Sequence, residues 1–211
     1  MSNVTIRTLR PLEQWSSALA FAAGVLFLGH AVVRAIEAFS TASPPPDVFG
    51  PAGYVAAGLA LLGLVPSLSE EAPISSRLAA ILSLGIVTGW TLIAGLTFGA
   101  AAGLLPPPDT VFPAAVFAVA ILSTLLVYLV FGAVSLRTET HSRTLGLLLL
   151  APPGVLVFLL VGGVVLSVAP EAGAVAVGGG LALSHAAIGG TLSVGRTDTD
   201  RVAPSAGATR E

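Results

Sequence analysis

Long stretches without a charged side chain alternate with short charged segments along the whole chain. Between Glu13 and Arg34 the only histidine or charged residue is His30. Five further stretches carry no charged side chain: 48–69, 78–108, 110–136, 144–170 and 172–195. A helix needs about 20 apolar residues to cross the ~30 Å hydrocarbon core of a bilayer. All six stretches reach that length, and none shows the alternation of a transmembrane β-strand.

We therefore predict an all-α membrane protein with six transmembrane helices, arranged as three up-down hairpins. The predicted spans are about 14–38, 48–66, 77–104, 109–136, 143–169 and 171–195. Residues 1–13 form a cytoplasmic lead, residues 14–195 form the transmembrane domain, and residues 196–211 form a cytoplasmic tail. The tail is rich in Thr, Asp, Ala and Gly, and we expect it to be disordered. Pro66 is expected to end the second span and to leave an inner loop at 67–77.

Composition agrees with this interpretation. The mean hydropathy is +0.94 and only 9% of the residues are charged, whereas soluble domains carry roughly 25%. The chain contains no cysteine, which excludes disulfides and thiolate metal sites. We find no basic patch for nucleic acid and no catalytic motif, so we predict a non-enzyme with no metal site, whose main partner is the lipid bilayer.

The placement of arginine predicts the orientation. The chain has nine basic residues, all of them arginine. Eight fall on one side if six spans alternate: Arg7, Arg10, Arg77, Arg137, Arg143, Arg196, Arg201 and Arg210. Cytoplasmic loops carry the excess of positive charge, so we predict a multi-pass protein of the cell membrane with both termini in the cytoplasm. We expect the first span to stay in the mature protein and not to be cleaved as a signal peptide. The small residues at 40–42 could form a cleavage site, but Arg34 and Glu37 separate them from the apolar run.

Three acidic residues recur at a spacing of 62, each directly after a proline: Asp47, Asp109 and Glu171. Each would lie at the outer start of a helix. A carboxylate there can accept hydrogen bonds from unpaired amides and faces the positive end of the helix dipole. We favour this helix-start role, and the alternative is a ring of carboxylates at an outer mouth that attracts cations.

Small residues form two ridges that predict close helix packing. The ridge in the sixth span comprises Ala174, Gly178, Ala182, Ala186 and Gly190, and that in the third comprises Gly95, Gly99 and Gly103. We favour packing within one chain, and the alternative is a seam with a second copy or another membrane subunit. Pro152 and Pro153 should kink the fifth span or make it start afresh.

Ionisable groups within the spans are the candidate site, because burying them in lipid is costly. His30, Arg34 and Glu37 share one face of the first span at i, i+4 and i+7. These three side chains form either an anchor at the membrane interface or a polar pocket that is open to the outer side. We include His185 of the sixth span as a further candidate residue of that pocket. A bis-imidazole haem between His30 and His185 is an unfavoured option, since their predicted depths differ. A hydrogen bond to a neighbouring helix is the more ordinary role for His185, and His141 is expected to be solvent-exposed.

Two classes of function remain open. The first is a non-catalytic subunit, assembly factor or scaffold that acts through helix–helix packing. The second is a small carrier or channel for a neutral or cationic solute that uses the polar stripe on the first span. The sequence favours the first class, because polar groups in the spans are few and small-residue ridges are prominent.

Overall fold

The computed structural model describes residues 3–41, 46–105, 111–138, 141–165 and 170–202. The helices in these ranges are α1 (Asn3–Phe39), α2 (Phe49–Glu71), α3 (Pro73–Ala101), α4 (Val111–Thr138), α5 (Arg143–Leu149), α6 (Ala151–Val165) and α7 (Pro170–Val202). No residue within these ranges belongs to a strand. The all-α fold class is therefore confirmed for the described chain.

Five helical segments are long and apolar enough to cross a membrane. They are Pro11–Phe39, Phe49–Glu71, Pro73–Ala101, Ala114–Thr138 and Ala172–Gly195. Many of their large apolar side chains remain exposed, including Val25, Ile81 and Phe98. Apolar surface of this kind is costly in water and favourable against lipid. The helices therefore fit a helical membrane protein.

The predicted span 143–169 differs from the other five, because it is divided between two shorter helices. α5 ends at Leu149 and α6 begins at Ala151. Pro152 and Pro153 follow at once, and neither can donate a main-chain N–H to the preceding turn. The main-chain hydrogen bonds of α5 therefore cannot continue regularly through these prolines. Neither α5 nor α6 is long enough to be one of the five helices that could cross a membrane.

The connection between α2 and α3 also differs from the prediction. Pro66 does not end the second span, because α2 continues through it to Glu71. In place of the loop predicted at 67–77, a single residue, Ala72, separates the two helices. The chain turns at Pro73, which occupies the first turn of α3. Proline fits that position because the first amides of a helix have no intrahelical acceptor.

The two terminal helices extend beyond the predicted spans. α1 begins at Asn3, so most of the lead predicted at 1–13 is helical. α7 continues to Val202, which corrects the expectation of a disordered tail as far as that residue. The sequence has no proline between the sixth span and Pro204, so nothing in it forces the helix to stop earlier. Residues 203–211 lie outside the described part of the chain.

Small residues bring α1 and α7 into close contact. A Cβ atom added to Gly178 would lie 2.9 Å from the Cβ of Ala31, and one added to Gly24 would lie 3.0 Å from the carbonyl oxygen of Ala182 and 3.2 Å from the amide of Ala186. Larger residues would push the helices apart. This part of the predicted α7 ridge therefore faces α1 of the same chain.

The glycine series of α3 has different surroundings. An added Cβ at Gly95 or Gly103 would meet no atom within 4 Å, and one at Gly99 would meet only Leu105 of the turn that follows α3. Gly103 has a φ of +68°, and the amide of Leu104 donates to the Gly99 carbonyl at 2.9 Å. This left-handed turn ends the helix. Gly103 therefore lies beyond α3 and not on the predicted ridge, and Gly95 leaves an open position on α3 among the described residues.

Candidate functional site

Three side chains of α1 and one from the segment before α2 form a polar cluster, which comprises His30, Arg34, Glu37 and Asp47. Nδ1 of His30 lies 2.5 Å from Oδ2 of Asp47, and Nη2 of Arg34 donates to the same oxygen at 3.0 Å. Nη1 of Arg34 donates to Oε2 of Glu37 at 2.7 Å. The structure therefore brings the predicted α1 stripe together with the first of the three proline-preceded acids.

The two oxygens of Asp47 have separate tasks. Oδ1 accepts a hydrogen bond from the amide of Gly50, in the first turn of α2, at 3.3 Å. A carboxylate commonly accepts such a bond from a first-turn amide at the start of a helix. Oδ2 binds His30 and Arg34 as described above. One carboxylate thus both caps α2 and joins α2 to α1.

The electrostatic surroundings of Asp47 favour its ionised form. Burial raises the pKa of the carboxyl, but several contacts act in the opposite direction. The hydrogen bond and charge of His30, a backbone amide and the charge of Arg34 together hold the pKa of Asp47 below its usual range. Asp47 is therefore a carboxylate at neutral pH, and it anchors the cluster.

The side chains of the other two acids of the series lie outside the described part of the chain. Asp109 lies outside the described residues. Glu171 lies in the first turn of α7, which begins at Pro170, and its side chain is outside the described part. The helix-start role of these two acids and the alternative of a carboxylate ring therefore stay predictions, and Asp47 is the member of the series whose side chain is described.

A cavity of about 630 Å³ lies beside the polar cluster. Its walls come from α1, α2, α3, α4, α6 and α7, and they are mostly apolar away from the cluster. Leu156 is the contribution of α6, while Val177 and the ridge residue Ala174 come from α7. Small-molecule sites typically have such a volume and combine apolar walls with a few polar groups.

Three aromatic side chains form one wall of the cavity, here called the aromatic wall: Tyr54, Trp90 and Phe117. Tyr54 and Trp90 stack with ring centroids 4.1 Å apart, and Phe117 meets Trp90 edge-on at 5.6 Å. Trp90 donates through Nε1 to Oγ1 of Thr124 at 3.2 Å. Tyr54 is only 8% exposed, and its hydroxyl has no hydrogen-bond partner within the described ranges. The wall thus offers a polarisable surface and one unpaired hydroxyl.

His185 lies apart from the polar cluster and does not line the cavity. It is 2% exposed. Its Nδ1 is 2.7 Å from the carbonyl of Leu181, and its Nε2 is 2.5 Å from the hydroxyl of Tyr128 on α4. Because a carbonyl only accepts, Nδ1 carries the proton and Nε2 accepts from Tyr128. The ring of Phe27 lies against both His185 and Tyr54.

This arrangement does not suit a haem held by His30 and His185. Both ring nitrogens of His185 already bind protein groups, one of them the carbonyl of Leu181 in the preceding turn. An axial ligand needs a ring nitrogen that is free to bind iron. Ligation would break the bond to Tyr128 and leave a buried hydroxyl unpaired, which is unfavourable.

His141 departs from the expected solvent exposure. It lies between α4 and α5, half-buried, with Nε2 at 3.2 Å from Oγ of Ser67 on α2. Ser67 donates to the carbonyl of Leu64, so it accepts from His141. The Nδ1 atom of His141 is buried without a partner among the described residues. Burial lowers the pKa of His141, and the nearby charge of Glu71 only partly offsets this.

Sequence reasoning missed Tyr54, Trp90 and Tyr128 as parts of the interior. Their positions could have indicated this role. Tyrosine and tryptophan are enriched at membrane interfaces, but these three residues lie within uncharged stretches, where their polar groups need partners inside the protein. The pairing of Asp47 with His30 was also missed, because a contact across a loop leaves no trace in helical spacing.

Comparison with known proteins adds no functional assignment. No protein-family model matches the chain, and no curated protein or solved structure is similar enough to count as a match. The function therefore has to be argued from the cavity and the side chains around it.

Proposed function

We propose that the protein is a multi-pass carrier of the cell membrane that binds a small organic solute in the cavity. The observation that carries this proposal is the cavity of about 630 Å³ with the polar cluster beside an aromatic wall. Ionisable side chains within membrane-spanning helices are costly and commonly mark solute or ion pathways. The proposal assigns the protein no catalytic step.

The proposal includes six crossings with both termini in the cytoplasm. α5 and α6 would together make one crossing as an interrupted helix. Interrupted helices in membrane proteins border cavities, where their free backbone groups can be satisfied, and Leu156 of α6 lines this cavity. Eight of nine arginines would then face the cytoplasm. The polar cluster, near the other end of α1, would face outward.

A thermal-shift experiment tests whether the cavity binds solutes. The purified protein in lipid nanodiscs is exposed to benzyl alcohol, benzoate and benzylammonium, which share a ring and differ in charge. At least one of these probes should raise the Tm of the wild type. The same probe should not raise the Tm of Ala174→Phe, because the larger side chain fills the cavity. Ala172→Phe, on the exposed face of α7, is the matched control and should respond like the wild type.

The same experiment can overturn the proposal. It fails if none of the three probes raises the Tm of the wild type. It fails equally if Ala174→Phe responds as strongly as the wild type, because binding would then lie elsewhere. Transport requires a further measurement, in which proteoliposomes take up the stabilising probe and Ala174→Phe reduces the rate.

The second candidate function is a subunit or scaffold, and one observation favours it. An added Cβ at Gly95 of α3 would meet no described atom within 4 Å, and a glycine at such a position lets another helix approach closely. Native mass spectrometry after mild extraction tests this idea. A complex that dissociates in Gly95→Leu, while the monomer stays folded, would support it. A wild-type protein found only as a monomer would contradict it.

A further inference from the structure

We infer that the solute bound in the cavity is an organic monocation with an aromatic or apolar body. This inference rests on the proposed function, since it names the chemical class of the solute for the same cavity. It follows from the charge balance of the polar cluster, the engagement of its one guanidinium and the surface of the aromatic wall.

Apart from His30, the charged side chains that line the cavity sum to a negative charge. Two carboxylates, Glu37 and Asp47, face one guanidinium, that of Arg34. The lining contributed by α3, α4, α6 and α7 adds no charged side chain among the described residues. A net negative charge near low-dielectric walls attracts cations and repels anions. An incoming monocation would bring the charge of the site to zero.

Arg34 is poorly placed to bind an anionic solute. Its Nη1 donates to Glu37 at 2.7 Å and its Nη2 to Asp47 at 3.0 Å. Both carboxylates lie against this guanidinium, so an anion that approached it would be repelled by two neighbouring negative charges. A cation instead adds a third partner to the two carboxylates without breaking either bond.

The aromatic wall fits the body of such a cation. Aromatic faces attract ammonium groups within about 6 Å, and tryptophan does so best. Trp90 is held in place by its bond to Thr124 and by the stack with Tyr54. Tyr54 lines the cavity as well, and its hydroxyl has no partner within the described part of the chain, so this hydroxyl could bond a polar group of the solute.

Trp90 provides a reporter inside the cavity. The chain has two tryptophans, and the other, Trp15, is 63% exposed. In Trp15→Phe the emission therefore comes from Trp90 alone. We would titrate this protein in lipid nanodiscs with phenyltrimethylammonium, its neutral isostere tert-butylbenzene, and benzenesulfonate. Trp90→Phe, which retains Trp15, measures any effect of probe partitioning into the lipid.

The expected result is a saturable change in Trp90 emission with phenyltrimethylammonium, at an affinity at least about tenfold above that of the other two probes. Glu37→Gln should weaken binding of the cation by about tenfold, the order expected for one unit charge a few ångströms away. Glu37 is exposed, so this change should not affect folding. Glu70→Gln, an equally exposed acid at the end of α2, is the matched control and should bind like the parent.

Different outcomes overturn different claims. If tert-butylbenzene or benzenesulfonate binds as tightly as the cation, the inference about charge is wrong while the cavity remains a solute site. If Glu37→Gln binds the cation as well as Glu70→Gln does, the polar cluster does not select the charge. If none of the three probes gives a saturable change, both the inference and the proposed solute site fail.

Discussion

His30 and His185 lie on neighbouring packed helices, yet their surroundings are opposite. His185 is buried, and each of its ring nitrogens binds a neutral group, Tyr128 or the Leu181 carbonyl. His30 binds a carboxylate, Asp47, and lies at the edge of a cavity. A histidine whose partners are neutral and complete stabilises packing. A histidine that shares a carboxylate with an arginine beside a cavity is placed where a solute could contact it.

The largest difference between the two histidines should be in stability. His185→Ala should lower the free energy of unfolding by ~2–4 kcal/mol, because it leaves a cavity and an unpaired Tyr128 hydroxyl. His30→Ala should cost less than about 1 kcal/mol, since its side chain is partly exposed. Unfolding in mixed micelles measures both values. Equal losses for the two variants would break the comparison.

The next effect should be on cation binding, and it should belong to His30. His30 lines the cavity and bonds Asp47, whereas His185 does not line it. His30→Gln should therefore change the affinity for phenyltrimethylammonium, because it alters the partners of the Asp47 carboxylate beside the bound cation.

Titration of Trp90 emission measures the affinity in both variants. His185→Gln should bind the cation like the wild type if it folds, because His185 does not line the cavity. Equal affinities in His30→Gln and His185→Gln would contradict the comparison.

A smaller effect concerns the hydroxyl of Tyr128 alone. Tyr128→Phe removes the bond to Nε2 of His185 and preserves the ring, so the free energy of unfolding should fall by about 0.6 kcal/mol, a typical value for a hydrogen bond between membrane helices. Tyr54→Phe is the matched control, because the Tyr54 hydroxyl has no partner among the described residues. It should leave stability unchanged, and a loss equal to that of Tyr128→Phe would contradict the contrast.

The smallest effect brings in the third histidine, His141. Burial lowers its pKa in the folded protein, so the unfolded chain binds more protons as the pH falls below the ordinary value of 6.5. Its neutral form therefore supports stability above pH 6.5, and that support is lost as the pH falls toward the lowered pKa. His141→Gln should flatten this slope in pH-dependent unfolding, and an unchanged slope would contradict the assignment.

The helical class could be predicted because it depends on the length of uncharged stretches, which the sequence displays directly. The details that could not be predicted depend on single prolines. Pro66 lies within α2, Pro73 starts α3, and Pro152 and Pro153 follow a break. All four remove one amide donor. Whether the helix continues depends on neighbours that satisfy the freed carbonyl, and these are known only from the folded chain.

The site was predictable only where its members share a helix. The spacing of His30, Arg34 and Glu37 places them on one face of α1. Asp47 reaches them across a loop, and the aromatic wall assembles from α2, α3 and α4. The cavity is a property of how six helices pack, so no single stretch of sequence contains it.

The junction at Ala72 has a mechanical consequence. Its amide donates to the Leu68 carbonyl at 2.9 Å, and its carbonyl accepts from the amide of Ser76 at 2.9 Å, so Ala72 closes the last turn of α2 and also takes part in the first turn of α3. The two helices therefore meet without a loop, and the stack of Tyr54 on Trp90 joins them again inside the protein. A carrier that exposes its site alternately to two sides needs a hinge elsewhere. If the protein is the carrier that we propose, we expect this hinge at the interrupted helix beside Pro152.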